Sequence, residues 1–83
     1  MVQVTMEFSE RVLAAVRLDP AGFGRELRLV AAVKWYELRQ VSQERAAEIA
    51  GLSRSEFLAA LGRFGVSPFQ YDAADVIKET ARE

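Results

Sequence analysis

The sequence predicts a mainly α domain with one or two short β-strands at its ends, built around a helix-turn-helix. Three observations carry that prediction. Residues 42–64 read as two short amphipathic helices on either side of a Gly51-Leu52-Ser53 turn. Residues 2–8 alternate apolar and polar side chains, the period of a strand with one buried face. Between these, residues 20–40 carry apolar side chains at helical spacing around most of a helix circumference. The predicted order is strand, short helix, long helix, helix-turn-helix pair, extended segment and short C-terminal helix.

The strand comes first. Val2, Val4, Met6 and Phe8 alternate with Gln3, Thr5 and Glu7. A lone strand is unstable and needs a partner edge. That partner is a later strand of the same chain or the same strand of another subunit; failing both, the segment is an unpaired arm. Ser9 then stands as cap of a helix from Glu10 to about Arg17, with Val12, Leu13 and Val16 on its apolar face. Asp19 caps the long helix, and Pro20 at its first position loses no hydrogen bond. Gly22 and Gly24 predict fraying in its first turns, or regular helix only from about Ala21. Leu27, Val30, Ala31 and Leu38 share one face, and Leu29, Val33 and Tyr36 form a second stripe, with Trp35 between them.

The helix-turn-helix is the best-marked stretch. Ser42 is a good N-cap, Glu44 puts negative charge in the first turn, and Ala46, Ala47, Ile49 and Ala50 form the apolar face. Gly51 stands where a helix end needs positive φ. Ser53 and Glu56 have the spacing of a capping box, and Leu52 and Phe57 that of a hydrophobic staple. Phe57, Ala60, Leu61 and Phe64 recur at helical spacing, with Leu58 turned partly aside toward the core or a dimer contact. Gly65 ends this helix. Residues 66–71 read as extended, with Pro68 restricting them to an edge or turn. Asp72 caps a last segment to Thr80 whose narrow apolar stripe includes Val76 and Ile77. That segment reads either as a frayed terminus or as one that orders on a partner.

Size and charge bound the function. With 83 residues the chain is one domain. We divide it into a compact part, 1–66, and a partner-binding tail, 67–83. A small core combined with 51% hydrophobic residues favours a homodimer or a firm partner complex. The formal net charge is −1. Residues 34–63 are slightly basic, and the tail is mildly acidic. That is a weak electrostatic footprint for nucleic acid.

The chain has no Cys and no His, which removes disulfides, thiolate metal sites and the commonest general base. We expect no metal and no cofactor. No carboxylate pair lies on an apolar face, and Gly22-Phe23-Gly24 lacks the strand context of a phosphate loop. We therefore expect no enzymatic activity. Without a visible signal peptide or an apolar run long enough for a bilayer, the expected location is cytoplasmic and off the membrane.

The run from Lys34 to Val66, with Tyr71 in an acidic setting, resembles a small prokaryotic family filed as uncharacterised protein family 0175. The most specific part is Ala46-Ala47, Ala50-Gly51-Leu52-Ser53 and Phe57-Leu58. Two positions depart from the family pattern. Arg39 stands where the family often has glycine, and Ser67 separates Pro68 from the Gly65-Val66 pair. Members look like the antitoxin halves of toxin–antitoxin pairs, usually encoded with a PIN-domain ribonuclease. The resemblance implies a PIN-domain ribonuclease toxin and promoter DNA as partners.

In a helix-turn-helix on double-stranded DNA, the start of the second helix meets the major groove. The candidates there are Ser53, Arg54, Ser55 and Ala59, with Arg54 the best base reader. Arg45, Arg63, Lys34 and Arg39 are candidates for phosphates. Phe69, Tyr71, Asp72, Val76 and Ile77 are the candidates for binding the nuclease. The alternative is a helical interaction module with no DNA role, which the near-neutral charge favours.

Overall fold

The computed structural model describes residues 1–68. They form four α-helices: α1 (Glu10–Val16), α2 (Pro20–Glu37), α3 (Gln43–Ala50) and α4 (Arg54–Leu61), followed by a 3-10 turn, Gly62–Phe64. The second strand expected after Gly65 lies partly, and the C-terminal helix wholly, outside the described residues. Among the described residues no helix is long and apolar enough to cross a membrane.

Local chemistry sets each helix start. Asp19 accepts the Gly22 N–H at 2.9 Å, and α2 is regular from Pro20 rather than frayed. A Cβ at Gly22 would stand 2.7 Å from the Asp19 carboxylate oxygen, so a side chain there would push the carboxylate aside from its present position. Ser42 accepts the Arg45 N–H and opens α3. Ser9 occupies the cap position of α1 in extended conformation, but its side chain makes no capping bond.

Four helix ends close in one way. At Arg17, Arg39, Gly51 and Gly65 the chain turns left-handed, with φ between 58° and 72°. Each of these residues donates its N–H three residues back, and the next residue donates five back. For α2 these are Arg39 to Tyr36 O and Gln40 to Trp35 O, both 2.9 Å. This double closure satisfies carbonyls that the helix leaves bare. Glycine suits the position, and a side chain there costs about 1–2 kcal/mol. Arg39 is thus in the conformation that a family glycine would adopt. Replacing it by glycine is expected to stabilise the fold by about 1 kcal/mol, raising Tm by roughly 4–8 °C in thermal unfolding. An unchanged or lower Tm would mean that contacts of the Arg39 side chain outweigh the backbone strain.

The core is one cluster in which α2 receives α3 and α4. Leu29, Ala32, Val33 and Tyr36 of α2 meet Ala46 and Ala47 of α3, Phe57 and Leu61 of α4, and Val66. Tyr36 and Phe57 have no solvent exposure and pack edge to face, ring centres 5.9 Å apart. Leu58 is half-buried against this cluster. Of the two stripes read on the long helix, the Leu29–Val33–Tyr36 stripe faces the core. The other leaves Val30 and Leu38 exposed, and Trp35, between the two, is exposed as well.

Residues 2–8, expected as a strand, form none in this chain. Among the described residues they have no partner edge. Val66 is buried in the core, and the Pro68 carbonyl is bonded to α2 and α3. The arm is tied down at its end, where the Phe8 ring meets Phe23 edge to face at 4.7 Å.

Candidate nucleic-acid interface

The exposed start of α4 is held rigidly. Ser53 accepts the Glu56 N–H at 3.1 Å, and the Glu56 carboxylate accepts the Ser53 N–H at 2.8 Å. The capping box read from the sequence is therefore complete. Accepting that backbone N–H, and then the side-chain bond with Ser53, holds the Glu56 carboxyl below the ordinary glutamate range. The stabilisation linked to this shift is fully present above the unfolded-state value and is lost as pH falls through the lower folded value. Ser53 Oγ also lies 3.3 Å from Ser55 Oγ. Ser53 is thus occupied as a cap, while Ser55 and Ala59 stand on the exposed side of α4.

Arg54 is positioned by a relay into the core. Its Nε and Nη2 donate to Gln43 Oε1 at 3.3 and 3.0 Å. Gln43 Nε2 donates to the Tyr36 hydroxyl at 2.9 Å and to the Pro68 carbonyl. The Tyr36 hydroxyl in turn donates to the Pro68 carbonyl at 2.8 Å. The amide can face only one way here: Arg offers donors alone and a carbonyl is an acceptor alone. The relay uses one edge of the guanidinium. The Nη1–Nη2 edge keeps the fork geometry that a guanine edge matches.

Three of the four phosphate candidates are each paired with a carboxylate. Lys34 pairs with Glu37 at 2.8 Å, Arg45 with Glu48 at 3.2 Å, and Arg63 with Glu26 at 3.0 Å. The Arg63 guanidinium also lies over the Phe64 ring, 5.2 Å from its centre. Arg39 sits at the left-handed end of α2. Beside Arg54, the shallow hollow between α3 and α4 has Ala47 and Leu52 together with two carboxylates, Glu44 and Glu48. Phe69, Tyr71, Asp72, Val76 and Ile77 lie outside the described residues.

The sequence reading missed two contributors. Arg28 on α2 donates from Nε to the Ile49 carbonyl at 2.8 Å and from Nη2 to the Glu48 carbonyl at 3.4 Å. A cation at the C-terminal end of α3 satisfies bare carbonyls and complements the helix dipole. It also stands 3.4 Å from where a Cβ on Gly51 would be, so it packs across the turn between α3 and α4. Gln43, in the first turn of α3, carries no local signal that marks its partners, which lie on α2, on α4 and at Pro68. Among the described residues no acidic cluster could hold a metal ion.

No match to the chain was found among curated proteins or among solved structures. The model of one family, described as Uncharacterised protein family (UPF0175), matches residues 1–82, nearly the whole chain. The chain therefore belongs to that family, the one its helix-pair residues resemble.

Proposed function

We propose that the protein is the antitoxin of a toxin–antitoxin pair, acting in the cytoplasm as a homodimer. In this reading α3 and α4 are a helix-turn-helix that binds promoter DNA and autoregulates, with Arg54 and Ser55 toward the bases. The C-terminal region, Phe69 to Arg82, binds and neutralises a PIN-domain ribonuclease. One observation carries the DNA half: the first turn of α4 is exposed and rigidly capped, and its arginine is held by Gln43 with a donor edge left for a base. The nuclease half rests on family membership and on the acidic, amphipathic tail.

The test is binding to the protein's own upstream DNA by fluorescence anisotropy across a salt series. Phosphate contacts make affinity fall steeply with salt, the logarithmic slope being about −0.9 per phosphate neutralised. In parallel, the chain ending at Pro68, which keeps the carbonyl bonded to Tyr36, should still bind DNA and lose the nuclease. If the shortened protein holds the nuclease as tightly as the full chain, the tail assignment is wrong.

A second reading has its own support. Lys34, Arg45 and Arg63 are each paired with a carboxylate, and Glu44 and Glu48 border the hollow beside Arg54. These features suit a helical interaction module without a DNA role. Such a module would show no DNA binding at low salt, and its affinity for a protein partner would barely respond to salt.

A further inference from the structure

Apolar exposure among the described residues is concentrated in the first half of the chain. Among the described residues, every large apolar side chain left exposed lies between Met1 and Leu38, and none on α3 or α4. Its most regular part is the N-terminal arm, with Val4 74% and Phe8 44% exposed. The arm carries a strand pattern and, among the described residues, no strand partner. Its own chain offers no edge through residue 68, because Val66 is in the core and the Pro68 carbonyl is already bonded.

We propose that the partner of this arm is the same arm of a second copy, in an antiparallel ribbon centred on Thr5. The register follows from the alternation. Residues directly opposite in an antiparallel pair project from the same face. Apolar therefore meets apolar only when the two residue numbers add to an even sum; a one-residue slip sets each apolar side chain against a polar one. Among the even registers, a sum of ten uses the whole arm. It sets Val2 against Phe8 of the other copy, Val4 against Met6, Gln3 against Glu7, and Thr5 against Thr5. Centring on Val4 leaves Phe8 unpaired, and centring on Met6 leaves Val2 unpaired.

The result has one face of eight apolar side chains and one polar face. A two-stranded ribbon needs a further layer to be stable. Val12 and Val16 of α1 and Val30 of α2, all exposed in the single chain, supply apolar surface for it. The Phe8–Phe23 contact joins the end of each strand to its own α2. This ribbon does not depend on the DNA reading; it provides the dimer that a two-fold operator would require.

Because the chain has no cysteine, one substitution places one thiol per copy. Purified Thr5→Cys protein under mild oxidation should become a disulfide-linked dimer. Gln3→Cys alone should not, because four residues of strand, about 14 Å, separate the two thiols. Mixed with Glu7→Cys protein, it should form the mixed dimer. Val4→Asp should turn a dimeric mass into a monomeric one by light scattering while helical circular dichroism is retained, since Val4 contributes nothing to the core. A wild-type protein that is monomeric at tens of micromolar overturns the proposal. So does Thr5→Cys crosslinking no faster than Gln3→Cys, or a Val4→Asp dimer. These readouts contain no DNA, so their failure is separate from failure of the operator reading.

Discussion

Phe57→Ala is expected to destabilise the domain by about 3–5 kcal/mol, the cost of emptying a large, fully enclosed aromatic site. Phe57 has no solvent exposure and meets Tyr36 edge to face, where α2, α3 and α4 converge. For a chain of this size total stability is about 4–12 kcal/mol. The substitution therefore removes a large part of it, and a substantial unfolded population at 37 °C is expected. Phe57→Leu, which retains most of the volume, should cost only about 1–2 kcal/mol. Urea denaturation of the three proteins measures both. If alanine costs less than about 1 kcal/mol, Phe57 is not the centre of packing and the arrangement of α4 on α2 must differ.

Arg54→Ala is expected to lower affinity for the specific operator by roughly 10–100-fold, the range that follows from losing one bidentate base contact. Affinity for unrelated DNA should change little, because base contacts rather than phosphate contacts carry that loss. Arg54→Lys should rescue poorly, since an ammonium group lacks the planar fork. Gln43→Ala is the informative companion. It removes the side chain that holds one edge of the guanidinium, and it also deprives the buried Tyr36 hydroxyl of a donor. A role for Gln43 in aiming Arg54 predicts a smaller loss of operator affinity with the same specificity. Equal losses on specific and unrelated DNA after Arg54→Ala would instead make Arg54 a phosphate contact, with the salt slope reduced by about one.

Much of the architecture was legible because its signals are local. A cap acts within three or four residues, so Asp19, Ser42 and the Ser53–Glu56 pair could each be recognised in a short window, and each forms its bond in the fold. Helical spacing likewise separated the two stripes of α2. Local rules were less reliable where the signal was an exception to propensity. Arg17 and Arg39 adopt the left-handed conformation that glycine marks at Gly51 and Gly65. No property of an arginine announces that conformation; the two hydrogen bonds that close the helix enforce it. Ser9 shows the converse, a favourable residue at the cap position whose bond is not made.

The candidate interface divides along the same line. The exposed first turn of α4 was visible as a motif. Its electrostatic state was not, because Arg63 pairs with a residue 37 positions away and Arg54 is held from 11 positions away. Near-neighbour pairs such as Arg45 with Glu48 lay within reach of sequence reasoning, since three residues along a helix bring side chains together.

What the sequence by itself determined, within residues 1–68, is the presence of the four helices, the capped starts of α3 and α4, the turn at Gly51 and the polar first turn of α4. Those depend on backbone hydrogen bonds and side chains only a few residues apart. Tertiary structure alone decided which stripe of α2 is buried, that Arg28 closes α3, and that Tyr36, Gln43 and Arg54 form one relay. It also decided that residues 2–8 find no edge within residues 1–68. Those outcomes depend on groups separated by many residues, and only the packing of α3 and α4 on α2 brings such groups within the few ångströms over which a hydrogen bond or a van der Waals contact acts.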